Sequence, residues 1–216
     1  MQATVMFWTG RPRRAEKLMA TALETAPAGT ARARLHSVQA RSLALIGARQ
    51  EVRAALNAAA DELQGAGDDA FLDEIGGELC FDPARRALCA GTSFIVLGEG
   101  TQAETEAAVA VQLFSTVPEP DRWAAGELSA QVDLATARVM RGDLAGAQDA
   151  LTAVFALDPE RRTEAVARRL ANLGHLLGAA RYRNAGEAAG IGEAIEDFAT
   201  RSLSRGATRV IFNPAG

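Results

Sequence analysis

The side chains with the most chemistry to offer in this 216-residue chain are two histidines, two cysteines and a crowd of arginines. His36 and His175 have no Cys, Asp or Glu three or four residues away, the spacing at which one helix face presents a metal pair. No HExxH, CxxC, Walker loop or GxSxG is present, so no metal or cofactor is expected. The GEGTQAET stretch around Gly98 and Gly100 has the glycines of a phosphate loop, but a helix precedes it and no lysine follows. It reads as a turn. Asp133 and His175 are the one pair that could serve as acid and base, and a non-catalytic chain is the expectation.

Cys80 and Cys89 stand nine residues apart with a predicted helix start between them. They read as small buried thiols rather than a redox pair. Arg161, Arg162, Arg168, Arg169, Arg181 and Arg183 form the densest basic cluster. A step of seven is close to two helical turns, which predicts shared faces for Arg161 with Arg168 and for Arg162 with Arg169. Such a face could receive a carboxylate or phosphate. The simpler reading, and the one expected, is a solvated surface partly neutralised by Glu160 and Glu164.

The elements that must position these groups are helical. Alanine occurs 47 times while aromatics are 5% of the chain, which favours close-packed helices over strands. Lys and Arg total 23 against 27 Asp and Glu, a net charge of −4. A sequence-independent binder of nucleic acid needs the opposite sign, so no direct binding of nucleic acid is expected. The longest apolar run, residues 87–98, is broken by Thr92 and Ser93 and falls short of the ~20 residues that span a bilayer. The opening MQATVMFWTG lacks a basic leader. A cytoplasmic location with no membrane partner is expected, and the alanine and arginine usage suggests a GC-rich bacterial genome.

Five glycines, Gly10, Gly47, Gly98, Gly142 and Gly178, each lie between two runs of helical character. Seven residues before them stand Ala3, Ala40, Gly91, Ala135 and Ala171. Five after come Ala15, Val52, Ala103, Ala147 and Arg183, and twelve after come Ala22, Ala59, Ala110, Val154 and Gly190. Small residues let two antiparallel helices approach, and the glycine makes the turn. Pro27 and Pro159 close two of the units. The spacing predicts helix pairs at 2–9 and 11–25, 31–46 and 48–64, 83–97 and 100–115, 122–141 and 144–157, and 160–177 and 184–203. Long connections are expected at 65–82 and 115–125, with Asp121 capping the helix that follows.

This is the tetratricopeptide pattern. The stretches DEIGGELCFDPARRALCAGTSFIVLGEG, DLATARVMRGDLAGAQDAL and LDPERRTEAVARRLANL, followed by RYR, resemble the tetratricopeptide-type C-terminal region of actinobacterial helix-turn-helix regulators of the Xre class. The resemblance covers most of residues 1–200. It implies an all-α, right-handed α-solenoid of four to five helix pairs over residues 1–203, with an irregular tail at 204–216. It also implies a region that senses a signal or holds a dimer together. Nothing in the chain corresponds to that family's DNA-binding part, and the chain is expected to open inside a repeat.

In stacked helix pairs the first helices line a concave surface. Counting back from each turn places Arg34, Ser37 and Arg41 there, then Arg85 and Thr92, then Ser129, Asp133 and Thr136, then Arg168, Asn172 and His175. Those polar residues are either a ligand groove or the wet side of the helices. As a groove, Arg85, Thr92, Asp133, Thr136, Arg168, Asn172 and His175 would bind a peptide, a protein segment or a small anionic ligand. The alternatives are an enzyme built on Asp133 and His175, or a scaffold for oligomers. For the last, Val5, Met6, Phe7 and Trp8 are the expected interface of a homodimer.

Overall fold

A computed structural model describes residues 10–65, 81–118 and 121–201. Among them are nine α-helices and no strand. They are α1 Pro12–Thr25, α2 Thr30–Leu45, α3 Arg49–Gly65, α4 Pro83–Val96, α5 Gly100–Thr116, α6 Ala124–Arg141, α7 Leu144–Phe155, α8 Glu164–Leu177 and α9 Gly186–Thr200. No helix among the described residues is long and apolar enough to cross a membrane. The helix expected at 2–9, the interface residues Val5, Met6, Phe7 and Trp8, the thiol of Cys80 and the tail at 204–216 lie outside the described residues.

Local chemistry sets most helix boundaries. Asp82 caps α4 by accepting from the Arg85 N–H at 2.7 Å, and Pro83 supplies the fixed φ of the first helical position. Asp143 starts α7 the same way, accepting from the Gly146 N–H at 2.9 Å. Gly142 ends α6 at φ +86°, a left-handed conformation that an L side chain enters only with strain. Gly10, Gly47 and Gly98 share that conformation, so four of the five sequence turns are of one kind.

The helices pack as neighbours in sequence, α1 on α2, α2 on α3, α4 on α5, α5 on α6, α6 on α7 and α8 on α9. Contacts also run between alternate helices, from α2 to α4, α4 to α6 and α6 to α8. The small positions make these approaches close. Ala40, Ala135, Val52, Ala103, Ala147, Ala59, Ala110 and Val154 are all 0% exposed. Gly91 comes so near α5 that a Cβ there would lie 3.3 Å from the backbone nitrogen of Ala107. The larger side chains of the core gather in the C-terminal half, where Leu151, Leu170, Leu173, Ile191 and Phe198 are buried together. Each contributes about 1.5–3 kcal/mol by leaving water.

The last unit departs from the spacing. Gly178 has φ −68°, and a short 3-10 turn, Ala180–Tyr182, intervenes before α9. Ala171, Arg183 and Gly190 are exposed rather than packed, because α8 buries Val166, Leu170, Leu173 and Leu177 instead. Tyr182 occupies the joint, donating its hydroxyl to the Val139 carbonyl of α6. The expected helix at 160–177 also starts later. Residues Pro159–Arg161 form a 3-10 turn and Thr163 caps α8. Asp121 does not cap α6, since Trp123 stands at the N-cap position and makes no side-chain cap bond.

Two arginines that precede α6 and α8 act as struts. Arg122 donates Nε to the Val117 carbonyl at 3.0 Å, and Arg162 donates Nε to the Leu157 carbonyl at 3.0 Å. In both cases the acceptor is five residues back, at the end of the preceding helix. Arg162 is 9% exposed, reaches the Phe198 carbonyl at 3.0 Å and lies over the Phe198 ring at 4.3 Å. It ties the end of α9 to the α7–α8 connection.

Candidate functional site

Four helices bring ionisable and polar side chains to one place. Asp133 of α6 is 4% exposed and sits between its neighbours. Its Oδ2 accepts from the Thr92 hydroxyl of α4 at 2.6 Å, and its Oδ1 accepts from Arg169 Nε of α8 at 3.1 Å. Thr92 Oγ1 also lies 2.9 Å from the Leu88 carbonyl. A hydroxyl has one proton, and the charged acceptor takes it more strongly.

Cys89, one turn before Thr92, is buried and lies within the field of Arg41, Arg169 and Asp133. Burial pushes its thiol above the ordinary range, and the guanidinium of Arg41 only partly opposes this. The thiol is therefore held in its neutral, unreactive form. Arg41 of α2 completes the group from the other side. Its Nε is wholly covered, and burial lowers its pKa while Cys89 and Asp133 act to raise it. Guanidinium still keeps its proton at neutral pH. Two guanidiniums, a carboxylate, a hydroxyl and a thiol thus converge from α2, α4, α6 and α8.

The other residues expected to line a groove are distributed unequally. Thr136 is buried and spends its hydroxyl on the Val132 carbonyl at 2.7 Å, and Ser129 does the same with Ala125. Arg85 pairs with Asp82 at 2.5 Å and lies over the Trp123 ring at 5.1 Å, in the first turn of α4. The Trp123 ring also meets Phe114 edge-on, with centroids 6.1 Å apart. On α8 the side chain that meets Asp133 is Arg169. Arg168 is half-exposed and stands 3.6 Å from Glu164, while Asn172 and His175 are exposed. Both oxygens of Asp133 are already engaged, and its partners are Thr92 and Arg169 rather than His175.

The arginine cluster at 161–183 also divides. Arg162 is a buried strut, Arg169 an ion-pair partner, and Arg161, Arg168, Arg181 and Arg183 are exposed. Arg161 and Arg168 do not share a helix face, because Arg161 belongs to the 3-10 turn before α8. Ten residues back from Gly178 stands Arg168, whose side chain does not reach Asp133. Nine residues back is the position that Cys89 and Asp133 hold before Gly98 and Gly142. Among the described residues no group of three His, Cys, Asp or Glu side chains could hold a metal ion. No protein-family model, curated protein or solved structure matches the chain.

Proposed function

We propose that the chain is a tetratricopeptide-like binding and regulatory module, a right-handed solenoid of helix pairs whose first helices recognise an anionic ligand. The ligand class is a peptide, a protein segment or a small signalling molecule with a carboxylate. The observation that carries this reading is the convergence of Arg41, Thr92, Asp133 and Arg169 from four alternate helices that pack in series. Burying charge is costly, and a core of similar volume made of apolar side chains would hold these helices at least as well. Guanidinium binds carboxylate through two parallel hydrogen bonds, so arginines flanking one acid also suit a second one. The resemblance of the sequence to the repeat regions of helix-turn-helix regulators supports the same reading, in which ligand occupancy is the signal.

A pool of short peptides with free C-terminal carboxylates, titrated against the wild type and the Arg169→Ala and Arg41→Ala variants, tests it. Selective retention by the wild type, lost in both variants while helicity is kept, is the expected result. Equal retention by all three would refute the assignment.

A further inference from the structure

The first and last described helices carry opposite charge that is left without partners among the described residues. Arg11, Arg13, Arg14 and Lys17 are all exposed at the start of α1, and none makes an ion pair with another described residue. α1 has no acid in its first turn and no side-chain cap. The amino end of a helix is already the positive end of its dipole, so these four cations repel both it and one another, with Glu16 the one acid among them. On α9 the reverse holds. Glu187, Glu193, Glu196 and Asp197 are exposed, and no basic residue lies between Gly186 and Thr200. Glu193 stands three and four residues before Glu196 and Asp197, the spacings at which like charges on one helix face repel. Among the described residues only Asp197 is answered, by Arg201 at 3.0 Å.

The two helices are also the terminal members of the series of contacts among the described residues. α1 packs on α2, and α9 packs on α7 and α8. Ala15 and Met19 face inward from α1, and Ala188, Ile191, Ile195 and Phe198 face inward from α9, so the charges point away from the core. We infer that copies of this chain associate end to end, with the basic face of α1 on one copy against the acidic face of α9 on the next. The occupant of each face is a second copy, because the charges are complementary and each relieves the other's repulsion. Such a contact joins two different surfaces, so it adds copies in a row or closes a ring. It is independent of whether the groove binds a ligand.

Sedimentation of the full chain over a concentration series tests it, at about 0.02 M and about 0.5 M salt, where the screening length falls from roughly 20 Å to roughly 4 Å. Mass-average molecular weight should rise with concentration at low salt and fall back to the monomer at high salt. An Arg13→Glu, Arg14→Glu, Lys17→Glu variant should lose this rise, as should a Glu193→Lys, Glu196→Lys variant. Mixing the two variants should restore association, and a chain reversed at both ends should associate with itself again. Circular dichroism checks that each variant is folded. A wild type that stays monomeric at low salt overturns the inference, as does association that survives high salt. A mixture of folded variants with no gain in mass overturns it too.

Discussion

Arg169 Nε lies 3.1 Å from Asp133 Oδ1, joining α8 to α6 across 36 residues of chain. Their side chains are 17% and 5% exposed, so the pair is largely removed from water. Breaking such a pair by removing one partner leaves a buried charge unanswered, at a cost of about 3–5 kcal/mol. Asp133→Ala should therefore lower the unfolding free energy by about 3 kcal/mol in urea titration. Arg169→Ala combined with it should cost less than the sum of the two single changes. Additive losses would show that the two side chains do not act as a pair.

Arg162 gives a second prediction. It donates to two carbonyls and covers the Phe198 ring, so Arg162→Ala removes packing and leaves buried acceptors unpaired. A loss of about 2–4 kcal/mol is expected, with amide exchange rising first in α9. Arg162→Lys should recover little, since an ammonium cannot reach both carbonyls in the plane of the ring. Unchanged protection of α9 would contradict the strut.

The turn glycines and the small residues around them were enough to place the helices from 11 to 157 within about two residues. The physical reason is that close helix approach admits few side chains, as Gly91 shows with Ala107. The same logic weakened after Gly178, where large apolar residues replace small ones and the turn is a longer 3-10 segment. Arg169 itself keeps the nine-residue spacing before its turn that Cys89 and Asp133 keep, so a count of nine from Gly178 rather than ten finds it. Arg162 could not be told from its neighbours in LDPERR, because its burial depends on Phe198, 36 residues away. Arg41 and Cys89 were visible as types, but their proximity comes from packing between α2 and α4.

Gly91→Ala tests the close approach. The added methyl would press on backbone rather than on a side chain that can swing away. Overpacking of about 1–3 kcal/mol is expected, seen as a lower urea midpoint. A gain in stability from the better helix former would mean that α4 and α5 can separate freely.

Cys89 should resist modification in the folded chain. In a Cys80→Ser background, iodoacetamide should label Cys89 at neutral pH only after denaturant is added, because burial holds the thiol neutral and covered. Rapid labelling of the native protein would contradict this.

His36 sets a pH dependence. Its pKa is lowered from 6.5, first by burial, with Arg32 adding to the effect while Gln39 and Glu62 oppose it. Between its folded value and 6.5 the unfolded chain binds more protons than the folded one, so stability falls as pH drops below 6.5 and levels off beneath the folded value. Urea midpoints from about pH 7.5 to about pH 5 should show this fall in the wild type and a shallower one in His36→Gln. Parallel curves would remove His36 from the account.

The central claim, that Arg41 and Arg169 receive an anionic ligand beside Asp133, is tested most directly by nitrogen-15 NMR of the arginine Nε–H groups. A pool of short peptides with free C-terminal carboxylates is titrated in, with the same pool amidated as the control. Saturable shifts of the Arg41 and Arg169 resonances, seen with the free-acid pool and absent with the amidated one, are predicted. Shifts confined to exposed arginines such as Arg161, Arg181 and Arg183, or the same response to both pools, would contradict it.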